Sequence, residues 1–236
     1  RFIVEDAACH RVLGDGPACD WLGESAIWMD MSEIQADGPL TSELVPAWQG
    51  DPEAVAMILY TSGSTGVPKG VAISRRAVDA FCAWTAATFE IGSNDRVASL
   101  APFHFDLSLF DLFALPAVGA TTVFVPDELT LSPAKLTAWL ADEAITTWYT
   151  VPSILVFLSL KGGLDTAALP KLRRILFAGE VFPTPQLRRL TQQLPRVDFY
   201  NLFGPTETNV CLYWPIERQR LHDDDAAIPI GSAACG

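Results

Sequence analysis

From residue 54 onward, short apolar runs alternate with longer segments whose apolar residues recur at helical spacing. Runs such as Val97–Leu100 and Arg174–Phe177 predict strands, whereas Ser132 followed by Pro133 predicts the start of a helix. Because strands that alternate with helices build βαβ units, the pattern predicts an α/β fold with largely parallel sheets and flanking helices. Ligands of such folds bind at the carboxyl ends of the strands.

The first fifty residues do not continue this alternation. The run Arg1–Asp6 predicts a strand, and residues 36–53 are rich in proline, glycine and acids, which predicts a loop or a junction. We assign residues 1–50 to the end of a preceding subdomain and its junction, and residues 51–236 to a single subdomain. Since the first residue is not methionine and the last residues contain no capping element, we expect an internal fragment of a longer protein.

The composition argues against several kinds of partner. The formal net charge is −12 and no run of lysine or arginine occurs, so nucleic acid, whose binding depends on neutralising phosphates, is not expected as a partner. Five cysteines are scattered without a CxxC pair, which argues against a disulfide framework or a zinc site and favours a reducing, cytoplasmic compartment. No run reaches the roughly 18 apolar residues of a membrane span, and no membrane partner is expected.

The segment Met57–Ser74, MILYTSGSTGVPKGVAIS, places hydroxyls, glycines and a lysine in one loop after an apolar run. A P-loop has four residues between its glycines and begins a helix at its lysine. Here two residues separate Gly63 from Gly66, and a β-type run follows Lys69. We therefore predict a loop between two strands that binds phosphate through hydroxyls, backbone N–H groups and Lys69. A polar hairpin loop without a ligand is the alternative.

Two segments resemble a known family. YTSGSTGVPKGV, residues 60–71, looks like the AMP-binding signature of the adenylate-forming superfamily, and YNLFGPTE, residues 200–207, resembles its second nucleotide motif. That superfamily contains amino-acid adenylation domains, acyl-CoA and aryl-CoA synthetases, and luciferases. The resemblance implies that residues 51–236 are the nucleotide- and substrate-binding subdomain of an adenylation domain. The chain would then be the core of the large N-terminal lobe, without the C-terminal lobe.

The same resemblance implies how ATP is held. The first loop would close over the β- and γ-phosphates. In the second motif, Asn201 would hydrogen-bond the adenine amino group, Phe203 would stack on the ring, and Glu207 would hold Mg²⁺. Thr206 would bind the α-phosphate and, with Lys69 and Glu207, form the catalytic set. A solvated Lys69 and a Glu207 that only caps a helix are the alternatives. The residues implied to bind ATP are Thr61, Ser62, Gly63, Ser64, Thr65, Gly179, Glu180, Asn201, Leu202, Phe203, Gly204, Pro205 and Thr206.

The segment Ala101–Phe113, APFHFDLSLFDLF, resembles the family motif that opens the substrate pocket. Asp106 lies in a strongly apolar run, where a buried carboxylate is costly unless it is paired. The resemblance implies that Asp106 binds the α-ammonium of an amino acid. The alternative is that Asp106 only caps a helix predicted over Leu107–Leu115. Asp111 is predicted to be an ordinary helix residue.

Matching the family's motifs gives a substrate pocket in which only Asp106 can carry a charge, so we expect a small apolar side chain on the substrate. The set is similar to that of stand-alone L-prolyl–carrier-protein ligases, and L-proline is favoured because prolinium offers two N–H donors. Alanine or another small apolar amino acid is the competing substrate, and simple core packing is the alternative for each apolar position. The implied wall residues are Asp106, Leu107, Phe110, Tyr149, Leu176, Ala178, Leu202, Val210 and Cys211.

The reaction implied by the family has two steps. The substrate carboxylate attacks Mg·ATP to give aminoacyl-AMP and pyrophosphate, and the phosphopantetheine thiol of a carrier protein then takes the acyl group. The isolated fragment is expected to be inactive, because the family's C-terminal lobe would follow it. An acyl- or aryl-CoA ligase, which Asp106 argues against, and a non-catalytic binding fragment are the rival functions.

Overall fold

The computed structural model describes residues 1–22, 26–33, 50–63, 66–164, 169–222 and 226–234. Contacts divide the chain into two units, Arg1–Ser74 and Arg75–Gly236, which are described separately. The subdomain boundary predicted after residue 50 stays a prediction, because residues 34–49 lie outside these ranges.

One short helix and two small sheets form the first unit. β1 and β2 pair in parallel, whereas β3 and β4 form an antiparallel hairpin. The elements are α1 Phe2–Asp6, β1 Arg11–Gly14, β2 Ile27–Asp30, β3 Val55–Thr61 and β4 Lys69–Ser74.

The strand predicted for Arg1–Asp6 is wrong, because the segment forms the helix α1. The N–H of Ala7 donates to the carbonyl of Ile3 at 2.9 Å. Arg1 Nε pairs with Glu5 Oε1 at 2.9 Å, one helical turn further on. These contacts are all local, so the segment satisfies its hydrogen bonds without a partner strand, and they outweigh the strand preference of its β-branched residues.

The hairpin of β3 and β4 confirms that the glycine-rich loop joins two strands. Thr61 pairs with Lys69 at the last position of the ladder, and no helix begins at the lysine. Gly66 adopts φ +81°, a conformation that favours glycine. Ser64 and Thr65, which were predicted to contact phosphate, lie outside the residues that the structure describes.

A seven-stranded sheet with the order β11-β10-β9-β8-β7-β5-β6 forms the centre of the second unit. The strands from β6 to β9 run parallel, and β10 and β11 add to the edge in antiparallel orientation, which confirms the predicted α/β fold. The chain crosses from β6 on one side of β5 to β7 on the other side, and such reversals create ligand clefts. The strands are β5 Arg96–Ser99, β6 Thr121–Phe124, β7 Thr147–Thr150, β8 Arg174–Phe177, β9 Asp198–Phe203, β10 Leu212–Pro215 and β11 Ser232–Ala233.

Three helices cover one face of this sheet. Trp148, Ile175 and Phe177 point to this face and belong to one buried cluster with Leu140 and Leu155 from the helices. None of the helices in the described ranges is long and apolar enough to cross a bilayer. The helices of the unit are α2 Arg75–Thr88, α3 Leu115–Ala117, α4 Pro133–Asp142, α5 Pro152–Lys161 and α6 Thr184–Gln193, and α4, α5 and α6 are the three on this face.

The opposite face of the sheet packs against α2 and the residues that follow it. The ring of Trp84 lies edge-on to Tyr213, with centroids 5.4 Å apart, and Phe89 contacts Tyr200 at 5.0 Å. Because side chains alternate along a strand, this face, called the aromatic face below, is formed by the residues between those that face α4, α5 and α6. One face of the sheet therefore packs against α4, α5 and α6, and the other against α2.

The helix predicted over Leu107–Leu115 is present but irregular. Phe110–Ala114 forms a π-type turn, which α3 continues to its end just after Pro116. The wider turn buries Asp111, whose Oδ2 accepts a 2.7 Å hydrogen bond from Ser99 Oγ at the end of β5. Such turns occur frequently at functional sites. This one ties the segment that carries Asp106 to the central strand.

A buried carboxylate joins the amino ends of the central strands. Asp95, 2% exposed, precedes β5, and its Oδ1 accepts hydrogen bonds from Thr146 Oγ1 (2.6 Å) and Arg173 Nη2 (2.7 Å). Arg174, itself buried, lies 3.4 Å from the same oxygen. Burial acts to raise the pKa of Asp95, but hydrogen bonds from Thr146, the Gly92 amide and Arg173 outweigh it and hold the pKa below its usual value.

Replacing this carboxylate should destabilise the fold strongly. We expect Asp95→Ala to lower the free energy of unfolding by about 3 kcal/mol, because Arg174 is left buried without its counter-charge. Glu143→Ala, which breaks the half-exposed 2.7 Å pair with Arg96, is the matched control and should cost about 1 kcal/mol or less. Urea unfolding of the three proteins at pH 7 measures the difference.

The pH dependence of this difference has a defined sign. Because the folded pKa of Asp95 is lowered, its contribution is present above the unfolded pKa of about 4 and is lost as the pH falls through the folded value. The stabilities of wild type and Asp95→Ala should therefore converge below about pH 4. A difference that stays constant from pH 7 to pH 3 would contradict the assignment.

Candidate functional site

A cleft of about 600 Å³ opens at the carboxyl ends of the parallel strands, where the strand order reverses between β5 and β7. The segments that follow β5, β6, β7 and β8 supply its walls, as expected for an α/β sheet. Its surface is mainly apolar with a few carboxylates. The lining residues are Leu100, Ala101, Pro102, Phe105, Asp106, Leu107, Asp127, Thr130, Thr150, Val151, Ile154, Gly179 and Glu180.

Asp106 is the half-buried carboxylate of this cleft. Burial raises its pKa, while the backbone amides of Asp106 and Leu107 act in the opposite direction. The N–H groups of Ser108 and Leu109 donate to the backbone carbonyls of Phe105 and Asp106, each at 3.1 Å. The N–H groups of Ser108 and Leu109 therefore bond to the main chain, and capping by the Asp106 carboxylate is confined to its own amide and that of Leu107. The carboxylate is available to a ligand.

Three of the other predicted wall residues, Tyr149, Leu176 and Leu202, share one face of the sheet. Tyr149 and Leu176 pair in the β7–β8 register, and Leu202 lies two residues beyond Tyr200, which pairs with Leu176. The ring of Phe110 stands perpendicular to that of Tyr149, with centroids 5.5 Å apart. This face is the aromatic face, on the side of α2.

Two of the nine predicted wall residues line the cleft. Asp106 and Leu107 line the cleft, whereas the remaining predicted wall residues are outside its lining. The pKa of Tyr149 is raised by burial and then by the negative charges of Asp106 and Asp111, so its hydroxyl lies within electrostatic reach of both. The convergence of the whole set on one substrate pocket stays a prediction. Phe110, Tyr149, Leu176, Ala178, Leu202 and Val210 are buried, and Cys211 is half-buried.

The second motif runs along β9 into a tight turn. Phe203 ends the strand with 46% of its surface exposed, so a ring face is available for stacking. Asn201 Nδ2 donates to the carbonyl of Pro229 at 2.8 Å, which leaves Oδ1 as the acceptor for a ligand donor. A Cβ atom at Gly204 would lie 1.5 Å from the Asn209 carbonyl oxygen, so this approach requires glycine.

Thr206 and Glu207 lie in the turn that follows. The Thr208 N–H donates to the Pro205 carbonyl at 3.0 Å, and the chain then continues into β10. Glu207 is exposed, and a strand rather than a helix follows it, so it does not cap a helix. Its carboxylate is open to solvent and to a ligand.

Gly179 and Glu180 follow β8 and line the cleft. Gly179 adopts φ +87°, which a residue with a side chain would rarely accept. Both carboxylate oxygens of Glu180 accept hydrogen bonds from Ser153, one from its N–H (2.8 Å) and one from its Oγ (3.0 Å). Glu180 therefore holds the start of α5 through Ser153.

The first loop belongs to the first unit. A Cβ at Gly63 would lie 2.3 Å from the Val67 carbonyl oxygen, so the loop closes on itself there. Thr61 and Lys69 face each other across the hairpin, Lys69 is exposed, and Ser62 follows the end of β3. Their contact with phosphate stays a prediction.

Two buried polar residues near the cleft, Asp111 and Asn209, were not predicted from the sequence. Asp111, expected to be an ordinary helix residue, is 7% exposed, and burial raises its pKa to about 6, although the hydrogen bond from Ser99 acts in the opposite direction. The rule applied to Asp106, a carboxylate within an apolar run, holds equally for Asp111 and could have found it. Asn209 carried no such signal, because its role depends on contacts with a distant segment.

Comparison with known proteins agrees with these motifs. The family model described as "AMP-binding enzyme" matches residues 2–236. An L-proline–[L-prolyl-carrier protein] ligase of Streptomyces coelicolor is 46% identical over 78% of this chain and 35% of its own length. A ligase of the same name from Pseudomonas fluorescens is 43% identical over 83% of this chain and 39% of its own. The chain thus spans somewhat more than a third of these relatives.

The names of more distant relatives also refer to amino acids. A D-alanine–D-alanyl carrier protein ligase of Bacillus mycoides is 32% identical over 74% of this chain and 34% of its own length. Among solved structures, the Vibrio cholerae adenylation domain AlmE, in complex with glycyl-adenosine-5′-phosphate, superposes with a TM-score of 0.68 at 31% identity. It covers 78% of this chain, which matches 34% of that one.

The buried Asp111 should make stability depend on pH in the direction opposite to Asp95. Because its folded pKa of about 6 exceeds the unfolded value of about 4, its contribution is present below pH 4 and is lost as the pH rises to 6. Asp111→Asn mimics the neutral carboxyl. We expect the variant to gain about 2–3 kcal/mol over wild type between pH 4 and pH 7. Urea unfolding of both proteins across this range measures the gain, and a difference independent of pH would refute it.

Proposed function

Because the chain belongs to the AMP-binding enzyme family, we propose that the protein containing it activates a small apolar amino acid with ATP and passes it to a carrier protein. The observation that carries the proposal is Asp106, a half-buried carboxylate in a mainly apolar cleft at the strand ends. Among the described residues Asp106 has no ion-pair partner, and a substrate ammonium would supply the counter-charge. An acyl or aryl acid has no such group.

L-proline is the proposed substrate. Its secondary ammonium has two N–H donors for the oxygens of Asp106, and its ring would contact apolar walls. The names of the two L-proline ligases, which are 46% and 43% identical to this chain, support this choice. A pocket distinguishes small apolar side chains by only about 1–3 kcal/mol per methylene, so alanine is the competitor to be tested.

The described residues fit an adenine nucleotide. The exposed ring of Phe203 offers a stacking surface, and Asn201 Oδ1 offers an acceptor for the adenine amino group. The glycine turn at Gly204 brings Thr206 close to the strand end, where we place the α-phosphate. Lys69 and the first loop would bind the outer phosphates.

Magnesium fits the same site through Glu207. Mg²⁺ commonly binds one or two carboxylates together with phosphate oxygens and water, so one exposed carboxylate suffices. Within the described ranges, no group of three His, Cys, Asp or Glu side chains forms a metal site by itself. When bound, the ion would neutralise negative charge on the phosphates. Glu207 would hold it beside the phosphates that Thr206 contacts.

The proposed chemistry requires positioning more than acid or base catalysis. An oxygen of the substrate carboxylate bonds to the α-phosphorus of ATP, and the bond from that phosphorus to the pyrophosphate oxygen breaks. Asp106 would orient the substrate through its ammonium, and Thr206 and Lys69 would bind phosphate oxygens. The carrier thiol then bonds to the acyl carbon, AMP leaves, and the thiol proton passes to solvent. The cytoplasmic location stays a prediction.

Pyrophosphate exchange in the full-length protein tests the substrate proposal. We expect exchange with L-proline, and a loss of about a hundredfold to several thousandfold in kcat/KM for Asp106→Ala, because the bound ammonium loses its partner at about 3–5 kcal/mol. ATP affinity without amino acid should change little. Asp142→Ala, at an exposed position on the last turn of α4, is the control for a lost carboxylate.

Other outcomes would redirect the proposal. Faster exchange with benzoate or a fatty acid than with proline would indicate a CoA ligase. Exchange with alanine but not with proline would keep the reaction and change the substrate. Unchanged exchange in Asp106→Ala would remove the ammonium-binding role, and no exchange with any acid would support a binding fragment.

Glu207 can be tested through its response to magnesium. We expect Glu207→Gln to raise the Mg²⁺ concentration for half-maximal exchange by about tenfold, because a neutral amide is a weaker ligand for a hard cation. Thr208→Ala in the same turn should leave it unchanged. Equal magnesium curves for Glu207→Gln and wild type would contradict the assignment.

A further inference from the structure

Asn209 stands out in the turn after the second nucleotide motif. It adopts φ +53°, in the left-handed region, where asparagine is enriched among residues other than glycine. It is also 8% exposed, although most asparagines lie at the surface. A polar residue that is both buried and in this conformation needs specific partners.

Both ends of the Asn209 amide are occupied. Nδ2 donates to the backbone carbonyl of Asp106 at 3.0 Å, across 103 positions of sequence. Oδ1 accepts a 2.7 Å hydrogen bond from the N–H of Val210. The backbone carbonyl of Asn209 lies against Gly204, where no side chain would fit. The amide is thus fixed by its own turn and holds a single outside partner.

We propose that Asn209 is a positioning residue for the amino-acid site, because it anchors the main chain of Asp106 to the turn that carries Thr206 and Glu207. The inference rests on the proposed function, since it assigns Asp106 to the substrate ammonium. Asn209 does not touch the substrate. It fixes the distance between the carboxylate that holds the amino acid and the turn that holds the α-phosphate.

The anchor is separate from the integrity of the local helix. The Asp106 carbonyl also accepts the N–H of Leu109 at 3.1 Å, so the helical turn keeps its own hydrogen bond without Asn209. Losing the amide donor therefore frees the segment to shift sideways rather than to unfold. The effect should appear in binding of the amino acid and not in binding of ATP.

Two variants separate the donor from the shape of the turn. Asn209→Gly accepts φ +53° and removes both hydrogen bonds of the side chain. Asn209→Asp keeps the acceptor for the Val210 N–H but puts an oxygen, with its negative charge, in place of the donor to Asp106, so only the change that it shares with the uncharged Asn209→Gly is assigned to the lost donor. Thr208→Ala removes the neighbouring hydroxyl, which donates to the carbonyls of Pro205 (3.3 Å) and Asn209 (3.5 Å), and is the control for a lost hydrogen bond within the turn that leaves the Asn209 amide intact.

In pyrophosphate exchange by the full-length protein, we expect both variants to raise the KM for L-proline by about tenfold, with kcat reduced less. The Kd for ATP in the absence of amino acid should stay within about twofold of wild type, as should all parameters of Thr208→Ala. A wild-type KM in Asn209→Asp would overturn the proposal, because the donor would then be dispensable. An equal loss of ATP affinity would assign Asn209 to the turn itself and would also overturn it.

A double-mutant cycle shows whether Asn209 acts through Asp106. Asn209→Gly in an Asp106→Ala background should cause no further loss of kcat/KM, because the positioned group is already absent. Additive losses would refute the coupling. Failure of the proposed function is distinguishable, since it would appear as wild-type protein without proline-dependent exchange.

Discussion

The buried carboxylate of Asp95 orders the amino ends of the central strands. It binds the residue that precedes β7 and the arginines at the start of β8, so three neighbouring strands begin at one polar cluster. Parallel strands that start together also end together, and the carboxyl ends of β5, β7 and β8 therefore meet at one edge. The cleft at that edge depends on a set of contacts at the other end of the sheet, where no ligand is expected.

The two faces of the sheet pack against different elements. The face covered by α4, α5 and α6 carries one large cluster of buried hydrophobic residues, and burial of apolar surface is the main stabilising term of a fold. The aromatic face is covered by α2 and by a π-type turn that carries Phe110 and Asp111. The predicted substrate wall lies on this second face. The buried cluster and the predicted substrate wall thus use alternate residues of the same strands.

The sequence predicted the regular parts of the structure well because their signals are local. The strand Arg174–Phe177 has the predicted bounds, and the helix from Pro133 starts after its serine as expected. Arg1–Asp6 was assigned wrongly, because an ion pair and hydrogen bonds within the segment outweigh its β-branched residues. The hairpin around the glycine-rich loop was predicted correctly from the glycine spacing and from the β-type run after Lys69.

The candidate site was less accessible to such reasoning. Asp106 was singled out by the resemblance of residues 101–113 to the family's pocket motif, and the cost of a carboxylate in an apolar run agreed with that choice. Asp111 lies in the same apolar run, but it is buried only because the helix widens into the π-type turn. The spacing of apolar residues does not predict that turn. Asn209 has no sequence signal, since a left-handed asparagine that binds a carbonyl 103 residues away exists only in the folded chain.

The close approach at Gly204 has a mechanical consequence. An added methyl group at position 204 would overlap the Asn209 carbonyl oxygen, so the turn has no room for a side chain there. The amide of the same Asn209 is hydrogen-bonded to the Asp106 main chain, which connects the turn to the cleft. A tightly packed joint transmits displacement instead of absorbing it. A Gly204→Ala substitution would therefore displace Asn209 and, through its hydrogen bond, the main chain of Asp106 in the cleft, although the atoms nearest to the added carbon belong to Asn209 and Cys211.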